Sequence, residues 1–150
     1  MDRIDVRDME ERDLERVAEI EALSFSSPWS VEAFRKELEE NSLAVYLVCE
    51  LDGKPAGYMG MWKVVDEGHV TNIAVAPEFR RAGIGKALLS EMVRRAKESG
   101  LVSITLEVRV SNVQAISLYE KQGFKSAGTR PKYYDNGEDA IIMWKDFMEE

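Results

Sequence analysis

Apolar positions along the chain keep two spacings, one near 3.6 residues and one of two, and the places where the spacing changes divide it into elements. Leu14, Val17 and Ile20 recur among charged neighbours and predict an amphipathic helix from Asp8 to about Ser24, with Asp8 and Glu11 in a capping arrangement. Ser26-Ser27-Pro28-Trp29-Ser30 breaks it. Ser30 then caps a second helix through about Glu39, with Trp29 and Phe34 spaced as a hydrophobic staple. Leu43–Glu50 and Ala56–Val65 are rich in β-branched and aromatic residues and flank Asp52-Gly53, a strong hairpin signal. A third strand covers Val70–Val75. Ile84, Leu88, Met92 and Ala96 mark a long helix that Gly100 ends, and a strand follows over Ile104–Val110. Asn112 caps a short helix carrying Ile116 and Tyr119 and ending at Gly123. Two last strands, Lys125–Tyr134 and Ala140–Trp144, enclose Asp135-Asn136-Gly137.

A helix lies between the strands at Val75 and Ile104, so these two are expected to pair in parallel through a right-handed crossover, while the hairpins are antiparallel. The expected fold class is α/β: a mixed, mostly antiparallel sheet with one parallel strand pair, flanked by helices on both faces, in a single domain over residues 1–150. In such sheets ligands gather beyond the carboxyl ends of parallel strands.

Composition narrows the classes. A chain of 150 residues with 45% apolar content buries about two-thirds of the surface its unfolded form exposes. The net charge of -8 argues against nucleic acid as a partner and is compatible with a cationic substrate, or simply with solubility. Cys49 is the single cysteine, the first residues lack a signal-peptide pattern, and no apolar run approaches a membrane span. A cytoplasmic monomer with no membrane partner is the expectation. With only His69 and Cys49 as nitrogen and sulfur ligands, no zinc site is expected.

The most informative stretch runs from Asn72-Ile73-Ala74-Val75 through Arg80-Arg81-Ala82-Gly83-Ile84-Gly85-Lys86 into the long helix. A strand, a glycine-bearing turn and a helix start in succession form a phosphate cradle. The first amides of a helix lack intrahelical partners, and the macrodipole adds about half a positive charge there. Arg80, Arg81 and Lys86 reinforce it. The nucleotide-hydrolase loop is excluded because Arg80 stands where it needs glycine and Ala87 where it needs Ser or Thr; the dinucleotide fingerprint is excluded by Leu88.

On the strand Leu106–Val110, alternation sets Glu107 and Arg109 opposite Leu106, Val108 and Val110. From spacing alone, Glu107 is either an ion-pair partner of Arg109, a solvated carboxylate or a base. Tyr119, among Ile116 and Leu118, reads as a core tyrosine or an acid, and Tyr133-Tyr134 beside an acidic turn as packing or a substrate wall.

The cradle Arg80-x-x-Gly83-x-Gly85 resembles the acyl-CoA pyrophosphate loop of the GCN5-related N-acetyltransferases. The segment from Leu106 to Phe124 is similar to the second signature of that superfamily. With Pro28-Trp29-Ser30, Arg130, Tyr133-Tyr134 and Glu138–Met143, it looks very like the superfamily's ribosomal-protein alanine N-acetyltransferase branch. The resemblance implies an acetyl-CoA-dependent enzyme that transfers acetyl directly to the N-terminal amine of a ribosomal protein or similar peptide. It also implies roles. Ile73, Ala74 and Val75 would meet the pantetheine arm, Arg80, Arg81, Ala82, Gly83, Ile84, Gly85 and Lys86 the pyrophosphate, and Asn112 the arm near the thioester. Glu107 would be the general base and Tyr119 the acid facing sulfur, with Phe25, Trp29, Tyr133 and Tyr134 walling the acceptor groove. Pro131 stands where the branch often has a basic residue. The alternative is transfer to another amine, such as a lysine side chain, a polyamine or an aminoglycoside. A module that binds acetyl-CoA without catalysis is the reading from a different class.

Overall fold

A computed structural model describes residues 3–149, and its first element is one that the apolar pattern conceals. Residues Ile4–Asp8 form strand β1, antiparallel to β2 (Ala44–Leu51), with Ile4 opposite Leu51 and Asp8 opposite Leu47. The expected helix start at Asp8 is therefore corrected. Glu10, not Asp8, opens a capping box with Asp13 on a 3-10 turn, Glu11–Asp13, and helix α1 runs over Leu14–Ser24. The turn is fixed electrostatically. Asp13 is 2% exposed and takes two hydrogen bonds from the Arg7 guanidinium, at 2.7 and 2.8 Å, while Arg7 also reaches Glu50 at 2.9 Å. Burial alone would raise the Asp13 carboxyl; the hydrogen bonds from Arg7 and the Glu10 amide outweigh it and hold the group below its usual range.

Helix α2 (Val31–Glu40) follows the break, its Ser30 Oγ accepting from the Ala33 amide at 3.1 Å, and the Trp29 and Phe34 rings lie 5.3 Å apart as the staple predicts. Strands β3 (Lys54–Val64) and β4 (Glu67–Val75) come next. Asp52 and Gly53, at φ 52° and 82°, make the tight hairpin turn between β2 and β3. Val65, also at positive φ (57°), lies at the β3–β4 tip with 96% of its surface exposed. After a 3-10 turn at Pro77–Phe79 come α3 (Ile84–Glu98), β5 (Ser103–Arg109), α4 (Val113–Lys121), β6 (Lys125–Arg130) and β7 (Ala140–Asp146). The strands form a seven-stranded sheet in the order β1-β2-β3-β4-β5-β7-β6, and β4–β5, with Glu67 opposite Ser103 and His69 opposite Thr105, is its parallel pair. Strand β6 ends at Arg130, short of the expected Tyr134. Pro131 has no amide to donate and Lys132, at φ 50°, turns the chain out of the ladder.

Backbone contacts divide the chain into two compact units, Met1–Trp62 with Thr71–Met92, and Lys63–Val70 with Val93–Glu150. In the first, Phe34, fully buried, meets Tyr46 and Tyr58 edge-on at 6.3 and 5.7 Å over Leu14, Val17 and Ile20. Two glycines on β3 permit close approach there. A Cβ on Gly57 would stand 2.8 Å from Ile84 Cγ2 on α3, and one on Gly60 would stand 2.7 Å from Asn72 Oδ1. In the second unit, Ile104, Leu106, Val108, Phe124 and Met143 are buried.

Candidate active site

In the first unit the strand carrying Ile73, Ala74 and Val75 leads through the 3-10 turn into Arg80–Lys86. That turn is an insertion the sequence reading did not anticipate; Pro77 at its start sets its φ. Arg81 and Gly83 both adopt positive φ, 67° and 85°, so the loop curls and α3 starts at Ile84. The first α3 amide with a partner in the turn before it is Ala87, bonded to the Gly83 carbonyl at 3.0 Å; Ile84, Gly85 and Lys86 precede it. A Cβ on Gly83 would meet only Ile4 Cδ1, at 3.8 Å. Gly83 is thus required for its backbone conformation and leaves its flank open. Arg80, Arg81 and Lys86 are exposed around these amides, and Ala82 is half-buried beneath them. The arrangement suits a polyanion: directed N–H donors, a helix start and exposed cations in one turn.

Phe25 and Trp29, from the α1–α2 break, are half-buried and pack against the Phe34 cluster. Next to them lies a group that the sequence reading missed. Glu21 is 3% exposed and accepts from the Trp29 amide at 3.0 Å, from the Tyr58 hydroxyl and from Asn72 Nδ2 at 3.4 Å. A signal was available: Glu21 falls seven residues after Leu14, on the apolar stripe of α1, where a carboxylate needs a reason.

The second unit gathers Glu107, Tyr133 and Tyr134. Strand β5 sets Glu107 and Arg109 on one face, but of the readings left open for Glu107 the ion pair with Arg109 is not formed. Arg130 Nε on β6 is 3.4 Å from Glu107 Oε1, whereas Arg109 turns away. Its guanidinium lies 4.0 Å over the Tyr134 ring, donates to Asn136 Oδ1 at 3.1 Å and stands 3.6 Å from Glu138 Oε1. The register explains the exchange. Ala140 on β7 pairs with Arg109 on one side and Arg130 on the other, so both cations reach the same face and the aromatic loop takes one of them.

Burial first, and then the nearby Glu107 carboxylate, raise the Tyr133 phenol above its usual range. Its ring stands 5.1 Å from Tyr134 and under Arg130 at 5.6 Å. Tyr134 is pushed up to about 12, chiefly by burial, with Arg109 opposing. Glu138 and Asp139, in the acidic turn, are engaged within the loop. Glu138 accepts from Ser111 at 2.6 Å and from Asn136 at 2.8 Å, and Asp139 from the Lys132 amide at 2.9 Å.

Tyr119, on α4, is 5% exposed, with its ring 5.9 Å from Phe124; burial and the neighbouring Tyr134 raise its phenol well above the ordinary range. Asn112 spends its side-chain oxygen on the α4 cap, accepting from the Ala115 amide at 3.2 Å, which leaves its NH2 group as a donor. Glu107 is 30% exposed along its side chain, so this unit offers an accessible carboxylate near the Tyr133 and Tyr134 rings, with Tyr119 as a buried phenol near Tyr134. Acid–base work on a small nucleophile suits that set.

A family model described as the Acetyltransferase (GNAT) family matches residues 14–124. A protein of Bacillus subtilis (strain 168), whose name provisionally assigns it as a [ribosomal protein bS18]-alanine N-acetyltransferase, is 50% identical over 93% of this chain and 93% of its own. The [ribosomal protein bS18]-alanine N-acetyltransferase of Escherichia coli (strain K12) is 38% identical over 92% of this chain and 94% of its own. The crystal structure of the ribosomal-protein-S18-alanine N-acetyltransferase from Escherichia coli superposes with a TM-score of 0.86 at 34% identity, covering 97% of this chain and 94% of that one.

Proposed function

The chain belongs to the GNAT acetyltransferase family and is an acetyl-CoA-dependent N-acetyltransferase; from that premise we propose that its acceptor is the N-terminal alanine of a ribosomal protein, the bS18 type named for its relatives. The observation that carries the chemical side of this reading is the accessible Glu107 carboxylate on β5, paired with Arg130 and near Tyr133. Acetyl-CoA supplies an activated acyl group on a thiolate leaving group. The amides and cations of Arg80–Lys86 hold its pyrophosphate, Ile73–Val75 align its arm, and the free NH2 of Asn112 donates to the arm near the thioester. By resemblance, Phe25, Trp29, Tyr133 and Tyr134 are the residues assigned to the acceptor peptide.

The division of labour follows from proton affinities. A peptide α-amine has a pKa of about 7.7 to 8.0, so roughly a tenth is neutral at pH 7, whereas a lysine at about 10.4 is neutral in less than one part in a thousand. One carboxylate suffices for the former. Glu107 takes the proton that the attacking nitrogen must lose, directly or through a water, a contribution of about a hundred- to ten-thousand-fold. Tyr119 donates a hydrogen bond to the departing sulfur. Cys49 takes no part in the transfer: it is fully buried in β2 and its thiol is pushed up to about 11, first by burial and then by Asp5 and Glu50. Transfer is therefore direct, from thioester to amine, without an acyl-enzyme.

Among the described residues no helix is long and apolar enough to cross a membrane. The reading places the enzyme in the cytoplasm, as a single catalytic domain acting as a monomer. It is tested by release of CoA thiol with three acceptors: a peptide with free N-terminal Ala, the same peptide blocked at its N-terminus with an internal Lys, and a polyamine. Turnover of the first alone is expected. Turnover confined to either of the others overturns the α-amine assignment.

A further inference from the structure

A carboxylate at 3% exposure is costly unless its oxygens are occupied, and those of Glu21 are occupied by neutral donors from three elements. Oε1 takes Tyr58 from β3 and Asn72 from β4, and Oε2 takes the Trp29 backbone amide from the α1–α2 break at 3.0 Å. Within the break, Ser26, Ser27 and Pro28 are exposed, and Phe25 and Trp29 only half-buried. Asn72 immediately precedes Ile73–Val75, and Thr71 Oγ1 donates to its side-chain oxygen at 2.8 Å, so its amide orientation is fixed and its NH2 aims at Glu21.

We propose that Glu21 is a positioning residue for acceptor recognition, locking the α1–α2 break that carries Phe25 and Trp29 to the strand that carries Ile73–Val75. The inference rests on the function proposed above, because it takes those two segments as acceptor wall and cofactor strand. The tie has a direction. All contacts at Glu21 are accepted, so an acid there is not interchangeable with an amide. Glu21→Gln keeps the volume but places an NH2 where a carboxylate oxygen stood. The remaining oxygen can serve Tyr58 and Asn72 or it can serve Trp29, and the Trp29 amide is then opposed by a donor. Tyr58→Phe, in contrast, removes one donor and leaves the Trp29 bond intact.

The two variants separate positioning from general stability. In Glu21→Gln the KM for the free N-terminal Ala peptide is expected to rise about ten-fold, the equivalent of one hydrogen bond. The KM for acetyl-CoA should stay within about two-fold. Amide exchange of a peptic fragment spanning residues 24–30, read by mass spectrometry, should quicken by about ten-fold. Tyr58→Phe should lower the melting temperature yet change neither acceptor KM nor exchange of that fragment. Should Glu21→Gln fail to fold, Glu21→Asp, which keeps the charge but retracts both oxygens, is read in the same way. Unaltered exchange in the Glu21 variant, or an equal rise in acceptor KM in Tyr58→Phe, overturns the proposal. If wild-type protein acetylates no α-amine, the functional reading fails instead, and the exchange comparison alone then decides whether Glu21 holds the break.

Discussion

Replacing Tyr119 by Phe removes one oxygen from a ring that is 5% exposed and packed 5.9 Å from Phe124, so the fold has little reason to change. The chemistry has more. In water a phenol near 10 protonating a thiolate near 8.5 already costs about 2 kcal/mol, and burial raises Tyr119 further, with Tyr134 adding to it. Full proton transfer is therefore a poor use of this residue, and a hydrogen bond to the sulfur as it gains charge is a good one. A bond to a charged acceptor is worth about 1.5 to 3 kcal/mol, which converts to a fall in kcat of roughly ten- to a hundred-and-fifty-fold. The bond forms as charge develops, so affinity for acetyl-CoA should hardly move. The assay is thiol release at saturating acceptor, with acetyl-CoA affinity measured by calorimetry and integrity by thermal melting. An unchanged kcat would refute the role. So would a loss confined to acetyl-CoA affinity, which would make the hydroxyl a ground-state contact.

Two further outcomes follow from the backbone and the ion pairs. Gly83→Ala imposes a side chain at φ 85° without a clash, the nearest atom being Ile4 Cδ1 at 3.8 Å. The loop should relax away from positive φ at a cost of about 1 to 2 kcal/mol, and CoA binding should weaken about ten-fold in calorimetry; full affinity would show that the cradle does not depend on this conformation. Asp13→Asn removes the buried carboxylate from Arg7, which keeps its pair with Glu50, and should cost about 1.5 to 3 kcal/mol in urea unfolding at pH 7. Because the folded-state carboxyl lies below its unfolded value, its contribution is complete above about pH 4 and lost as the pH falls through the folded value. The gap between wild type and variant should therefore narrow in acid, and a gap independent of pH would contradict the assignment.

Composition and turn signals announced strands such as β2 and β3, which bury residues 46–49 and 56–61 on both faces, and the helical spacing announced the helices because each buries one face. The caps at Ser30 and Asn112 were visible because their side chains act on amides close by in sequence. Strand β1 was not. It is an edge strand of alternating charge, and its partner residues 47–51 lie some forty positions away, so nothing local marks it. At the site, Glu107 and the paired tyrosines could be named from spacing and resemblance, but the choice of Arg130 over Arg109 could not. That choice is set by the β5–β7–β6 register, which shifts between Ser126 and Gly128, and by an aromatic ring that captures one guanidinium. Glu21 escaped for the converse reason: its position was legible, but two of the donors that make its burial tolerable, Tyr58 and Asn72, come from strands far away in sequence.

Val65 has a different kind of consequence. A β-branched side chain at positive φ, standing almost wholly in solvent, is conformational strain that no packing offsets. The tip is therefore a natural handle: a glycine there relieves the backbone, and a cysteine gives a labelling or immobilisation point while Cys49 stays hidden in its strand.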